Sequence, residues 1–207
     1  MSSSRPDAGA GGAAAGAILR AFSLFSDRLG EIESEPGERL RQALSAVGGE
    51  HRPVRPAKTD SCIWLETAIS ARPAETASLI DAFAPLADLA SWNEGPRDGA
   101  PDEFTEAYAY ATLIGFDGLI ETDECRCGLY IQRPGVYYPA HAHDAEELYF
   151  ILSGEADWQA GERRFTARPG LLIHHAPAEP HIMVTGDQPL LAVFAWLGAV
   201  DGRFWYP

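Results

Sequence analysis

The segment Gly135 to Gly154 carries His141, His143, Glu147 and Tyr149 in the order G-x5-H-x-H-x3-E-x6-G, and after a Pro169-Gly170 turn comes Pro180-His181. Imidazole nitrogens and a carboxylate oxygen are the donors that hold a divalent transition metal. Three histidines with one glutamate suit zinc, iron, manganese, cobalt or nickel, and affinity order alone does not choose among them. On a strand, residues two apart share a face. His141 and His143 therefore point the same way, and Glu147 points with Tyr149. Asp144-Ala145-Glu146 can bend the chain between the two pairs without changing that parity. The same parity makes Glu147 the ligand and leaves Glu146 in solvent. His181 closes the set from a neighbouring strand. His174 and His175, adjacent on a strand, face opposite ways, so at most one looks inward, and both read as supporting or structural. Two imidazoles and a carboxylate in a barrel interior that would otherwise hold Val, Leu or Ile cost desolvation energy, which a divalent cation compensates most simply.

The elements that must position these groups are short strands. Short strand-like runs at Cys127–Gln132, Leu148–Leu152, Ala156–Gln159, Arg163–Thr166, Leu171–His174, His181–Thr185 and Leu190–Leu197 are separated by turn residues such as Arg133-Pro134-Gly135, Ser153-Gly154, Ala160-Gly161 and Gly186-Asp187. Phe104, Glu106, Tyr108 and Tyr110 alternate with small residues in the same manner. Many short strands at regular spacing predict an antiparallel barrel or jelly roll over 104–207. Before it the period is helical: Ile18, Phe22, Phe25 and Leu29, then Leu40, Leu44 and Val47, then Leu79, Phe83, Leu86 and Leu89. Ser34 with Pro36 marks a helix start, Gly48-Gly49 a stop, Cys62–Ser70 a short helix, and Pro85 a kink. Residues 15–103 thus form a helical extension, and 1–14, mostly Ser, Gly and Ala, a disordered tail.

A net charge of −14 argues against nucleic acid or an anionic membrane as partner, since both need a basic face. No run is long and apolar enough to span a bilayer, and the Ala-rich start lacks the basic region of a secretory signal. Three cysteines, Cys62, Cys125 and Cys127, are too few and too oddly placed for a disulfide framework and fit a reducing, cytoplasmic setting.

From about residue 104 the chain resembles the cupin superfamily, and its finer pattern resembles the cupin-type dimethylsulfoniopropionate (DMSP) lyases. The shared marks are Tyr137-Tyr138-Pro139 ahead of H-x-H, Glu147-Leu148-Tyr149, the I-H-H-x-P run Ile173–Pro177, Pro180-His181, and Trp196 in the last long strand. The helical N-terminal portion looks like the extension of the longer members. The resemblance implies a mainly β fold, a double-stranded β-helix with an N-terminal helical extension. It also implies a metal-dependent β-elimination that yields dimethyl sulfide and acrylate. His141, His143, Glu147 and His181 would hold the metal, Tyr149 would be the base, and the barrel would pair as a homodimer. The substrate, a small zwitterionic sulfonium, would rest its cationic end on aromatic faces, with Tyr138 and Trp196 as candidates. The alternatives are another metal cupin, such as an iron-dependent dioxygenase, and a non-enzymatic ligand-binding cupin.

Overall fold

The computed structural model describes residues 8–48, 51–96, 99–101, 104 and 107–207. Four helices lead the chain: α1 (Ala8–Gly30), α2 (Glu35–Ala46), α3 (Leu65–Ala71) and α4 (Ala77–Phe83). Ten strands follow: β1 (Tyr108–Ile114), β2 (Arg126–Gln132), β3 (Tyr137–His143), β4 (Glu146–Ser153), β5 (Ala156–Ala160), β6 (Arg163–Ala167), β7 (Leu172–His175), β8 (His181–Thr185), β9 (Leu190–Leu197) and β10 (Phe204–Trp205). They form two antiparallel sheets in the orders β1-β2-β9-β4-β7 and β10-β3-β8-β5-β6, the two layers of a double-stranded β-helix.

Local chemistry explains the boundaries. Ser34 caps α2 by accepting from the Gly37 amide at 3.1 Å, and Pro36 sits in the first turn, where its missing N–H costs nothing. α4 stops at Phe83 and passes into a 3-10 turn over Ala84–Asp88 that contains Pro85, so the proline ends the α-helix where a kink was expected. α1 already begins at Ala8, so residues 8–14, expected within a disordered tail, are helical. Residues 1–7, Gly49 of the expected helix stop, and Glu106 of the expected alternation lie outside the described residues. So do 102 and 103, at the edge of the expected division between extension and barrel. Ahead of β1, Asn93 exchanges both backbone hydrogen bonds with Tyr110, at 2.8 and 2.9 Å, so the connection joins the edge of the first sheet.

Gly154 shows why the turns need their residues. It sits at φ +79°, and a Cβ there would meet the Pro189 carbonyl oxygen at 2.0 Å.

β4 is the central positioning element. Glu147, Tyr149 and Ile151 face the barrel interior, while Leu148, Phe150 and Leu152 face the helices. Both faces are buried, which is why the strand reads as a continuous apolar run rather than an alternation. The outer face packs on α1 and α4: Phe25 meets Phe150 edge-on at 5.5 Å, and Phe25 and Phe22 pack in turn on Phe83. The Thr76 hydroxyl donates to the Leu152 carbonyl at 2.6 Å and the Ser153 hydroxyl to the Ala68 carbonyl at 2.7 Å. Leu148, Phe150 and Leu152 are each at most 1 % exposed, and such burial contributes roughly 1.5–3 kcal/mol per side chain.

Candidate metal centre

Three strands and one tight turn bring the donors together. β3 ends at His143 in one sheet, the chain turns through Asp144-Ala145, and β4 begins at Glu146 in the other sheet. Arg203 fastens this turn, donating from its backbone and its guanidinium to the Asp144 carboxylate at 2.9–3.1 Å. His143 and Glu147 thus meet across the barrel, the chain turning within the segment Asp144-Ala145-Glu146 that was read as able to bend. His181 arrives from β8, directly opposite His141 of β3.

His143, Glu147 and His181 present ligand atoms that all lie within 4.8 Å of one another, and all three side chains are buried. His143 Nδ1 lies 2.9 Å from the Ala145 carbonyl and His181 Nδ1 lies 3.0 Å from the Glu179 carbonyl. A carbonyl only accepts, so each Nδ1 carries the proton, and in the neutral ring each Nε2 presents a lone pair. Those two nitrogens stand 3.0 and 3.3 Å from Glu147 Oε2. Three electron-rich atoms facing one another call for a cation. A second proton on His143 satisfies it and Glu147 but leaves His181 Nε2, which is buried and has no hydrogen-bond partner among the described residues. An orphaned buried polar atom costs about 1–3 kcal/mol. A divalent metal satisfies all three at once, so these residues fit one.

His141 stands beside the trio and outside it. Its Nδ1 donates to the Pro139 carbonyl at 2.8 Å, its ring stacks on Tyr138 at 3.8 Å, and it meets the His181 ring edge-on at 3.9 Å.

The surroundings of Glu147 were not foreseen. Its cross-strand neighbours are His175 on β7 and Trp196 on β9, and neighbours opposite one another in a ladder share a face. Trp196 donates from its indole N–H to Oε1 at 2.7 Å, and His175 Nδ1 lies 3.0 Å from Oε2. Trp158 donates to His175 Nε2 at 2.9 Å. His174 faces the other way and pairs with Glu146 at 2.7 Å. Glu146, expected in solvent, is corrected: Arg39 of α2 grips it with two guanidinium nitrogens, and its side chain is 15 % exposed. Parity put Glu146 on the outer face of β4, and the helical layer covers that face.

Charges follow the geometry. Burial opposes a charge on His143, yet attraction to Glu147 raises its pKa above the ordinary 6.5. Burial also works against the Glu147 anion, but His143 and the donated hydrogen bonds hold it well below 4.5. His141 is pushed well below 6.5 by burial and by His181, and burial brings His175 down to about 3. The Tyr149 hydroxyl is raised well above 10, first by burial and then by the Glu147 charge.

A cavity of about 200 Å³ opens onto this centre. Six of the seven residues assigned from the sequence line it: Tyr138, His141, His143, Glu147, Tyr149 and Trp196; His181 lies behind them. Tyr138 donates its hydroxyl to Tyr108 at 2.8 Å and is stacked by Tyr108 and Phe104 as well as His141. Arg126 also lines the cavity, with its guanidinium over Trp196 at 5.4 Å and over Tyr110 at 5.3 Å, and with a two-point salt bridge to Asp117. Sequence reasoning missed Arg126 because nothing in the strand pattern says which residue reaches the mouth.

Comparison with known proteins bears on what such a cavity holds. Residues 37–192 match the model of the dimethylsulfoniopropionate lyase family. Dimethylsulfoniopropionate lyase DddQ of Ruegeria pomeroyi is 32 % identical over 154 residues, which covers 72 % of this chain and 76 % of that protein. The crystal structure of DddQ from Ruegeria pomeroyi superposes with a TM-score of 0.75 at 25 % identity, over 92 % of this chain and 95 % of that one. A chain from the crystal structures of the DMSP lyases RdDddP and RnDddQII shares the fold at a TM-score of 0.74 and 23 % identity, over 95 % of this chain and 99 % of that one.

Proposed function

The chain belongs to the dimethylsulfoniopropionate lyase family and is a lyase, and on that premise we propose that it cleaves DMSP to dimethyl sulfide and acrylate by a metal-dependent β-elimination. The observation that carries this reading is the convergence of His143 Nε2, His181 Nε2 and Glu147 Oε2 at one end of an aromatic cavity that Tyr149 also lines. His143, Glu147 and His181 would hold one divalent transition metal (iron, zinc, manganese, cobalt or nickel), with His141 the flanking donor on the His181 side. Bound there, the ion would act as a Lewis acid on the substrate carboxylate and offset the negative charge that builds up when the neighbouring carbon loses a proton.

Tyr149 is the base in this reading. Ionised to the phenolate, its oxygen takes the proton alpha to the carboxylate and becomes the hydroxyl, the C–H electrons become the new C=C bond, and the C–S pair leaves with sulfur as neutral dimethyl sulfide. Tyr149 then returns its proton to solvent. Burial first, then Glu147, Tyr130 and Tyr108 oppose ionisation of Tyr149, so neutralising Glu147 removes only its part of the penalty. Tyr138 and Trp196 line the cavity that would take the sulfonium; Tyr138 is already stacked by His141, Tyr108 and Phe104 and the Arg126 guanidinium lies over Trp196, so the sulfonium would meet these rings at their edges.

The test is headspace gas analysis of purified, metal-analysed protein incubated with DMSP, beside a chelator-treated control. Dimethyl sulfide with the metal and none after chelation supports the reading. Absence of the gas from metal-loaded protein, or consumption of dioxygen during turnover, refutes it, because elimination needs no oxygen.

A further inference from the structure

A hydrogen-bond chain runs into the proposed metal centre from the far side of Glu147. Trp158 on β5 is 2 % exposed, and its indole N–H can only donate; it does so to His175 Nε2 at 2.9 Å. That bond occupies the Nε2 lone pair, so the proton of the neutral ring sits on Nδ1 and points at Glu147 Oε2, 3.0 Å away. On the other carboxylate oxygen, Trp196 donates to Oε1 at 2.7 Å. Each oxygen thus takes one donor from a strand flanking β4, which fixes both the rotation and the tilt of the carboxylate plane.

We infer that His175 is a positioning residue and not a ligand: locked as the Nδ1–H tautomer by Trp158, it holds the Glu147 carboxylate in the orientation that faces His143 and His181. The inference rests on the metal reading above. His175 is fully buried and stacks flat on His181 at 3.8 Å, so its ring has no room to swing its other nitrogen toward the site. A bare imidazole lone pair in its place would repel Oε2, and an apolar side chain would leave Oε2 a donor short. Partners that orient a metal ligand in this way typically carry a roughly 10- to 100-fold share of metal affinity.

Two measurements test this, one of which involves no metal. In metal-free protein, long-range ¹H–¹⁵N NMR of the imidazoles should report His175 with its proton on Nδ1. In chelator competition with Zn²⁺ and Co²⁺, His175→Leu should bind roughly 10- to 100-fold more weakly. Trp158→Phe, which keeps a ring in place, should weaken binding in the same direction. His175→Asn, whose amide N–H can stand where Nδ1–H stood, should recover most of the affinity. The Co²⁺ absorption bands of His175→Asn should match those of the parent protein, because no coordinated nitrogen has been removed. A parent protein with the proton on Nε2, a His175→Leu variant of undiminished affinity, or altered Co²⁺ bands in His175→Asn would each overturn the inference. A parent protein that takes up neither ion would overturn the metal reading itself, and the positioning role with it, an outcome distinct from the other three.

Discussion

Acidification should loosen the metal in a way that the geometry makes quantitative. Without an ion, His143 carries a proton above its ordinary pKa because Glu147 lies 3.0 Å from its Nε2. Coordination through that nitrogen requires the proton to leave. Glu147 is held well below 4.5 and stays ionised, and His175, near 3, stays neutral, so neither blunts the effect between pH 5 and 6.5. The sign follows: in this window the metal-free protein binds at least one proton more than the loaded protein, so affinity falls as pH falls. One displaced proton makes a factor of ten per pH unit, about 1.4 kcal/mol, and roughly a 30-fold loss of affinity across the 1.5 units considered. Any further ligand that takes up a proton steepens the slope, so one proton is the floor. Chelator competition across the pH series, corrected for the chelator's own ionisation, measures the slope. Calorimetry in buffers of different ionisation enthalpy counts the protons released. A flat affinity over the window, or no proton release at pH 6, would mean that His143 Nε2 does not coordinate and would undo the assignment of the trio.

Other outcomes follow from the same contacts. Tyr149→Phe should retain the metal and lose nearly all release of dimethyl sulfide, and in the parent protein the rate should climb on the alkaline side of neutrality as the raised Tyr149 hydroxyl begins to ionise; near-normal gas release or a flat profile from about pH 6 to about pH 9 would remove the assigned base. Trp196→Phe keeps an aromatic face but deletes a charge-assisted hydrogen bond worth about 1.5–3 kcal/mol, so metal affinity should fall on the order of 10-fold or more while the fold survives, as followed by metal titration and circular dichroism. Arg39→Ala cuts the link from α2 to Glu146; the pair is half exposed, so the cost is discounted to about 1 kcal/mol. For a chain of this size that lowers the melting temperature by roughly 2–4 °C, which calorimetry can read.

How much of this could be seen in the residues alone varies by element. The strands were legible because most are short runs closed by glycine-bearing turns, and Gly154 shows the constraint that keeps such a turn a turn. The start of α2 was legible because Ser34 and Pro36 act locally, within one turn of the helix. What parity could not show is that the chain changes sheets at Asp144-Ala145, so that the trio closes across the barrel. His175 stayed hidden as a partner of Glu147 because what joins them is the register between β4 and β7, set by packing across the whole barrel. Trp196 was assigned to the substrate on its aromatic face; that its N–H also reaches Glu147 depends on the register with β9. β10 escaped notice because two residues carry no periodicity, yet Phe204 and Trp205 pair with His143 and Ala142 beside the site.

The strand that supplies Glu147 and Tyr149 has no spare surface, because its reverse side is the floor on which α1 and α4 rest. A fragment cut at the start of the β-structure would therefore bare Leu148, Phe150, Leu152 and Val193 as one continuous greasy plate, prone to self-association before any chemistry could be assayed. Protein engineers who wish to trim, fuse or circularly permute this scaffold should keep the leading helices attached. A stabilising or damaging change at Phe22 or Phe25 should register as altered turnover at a centre neither side chain can touch.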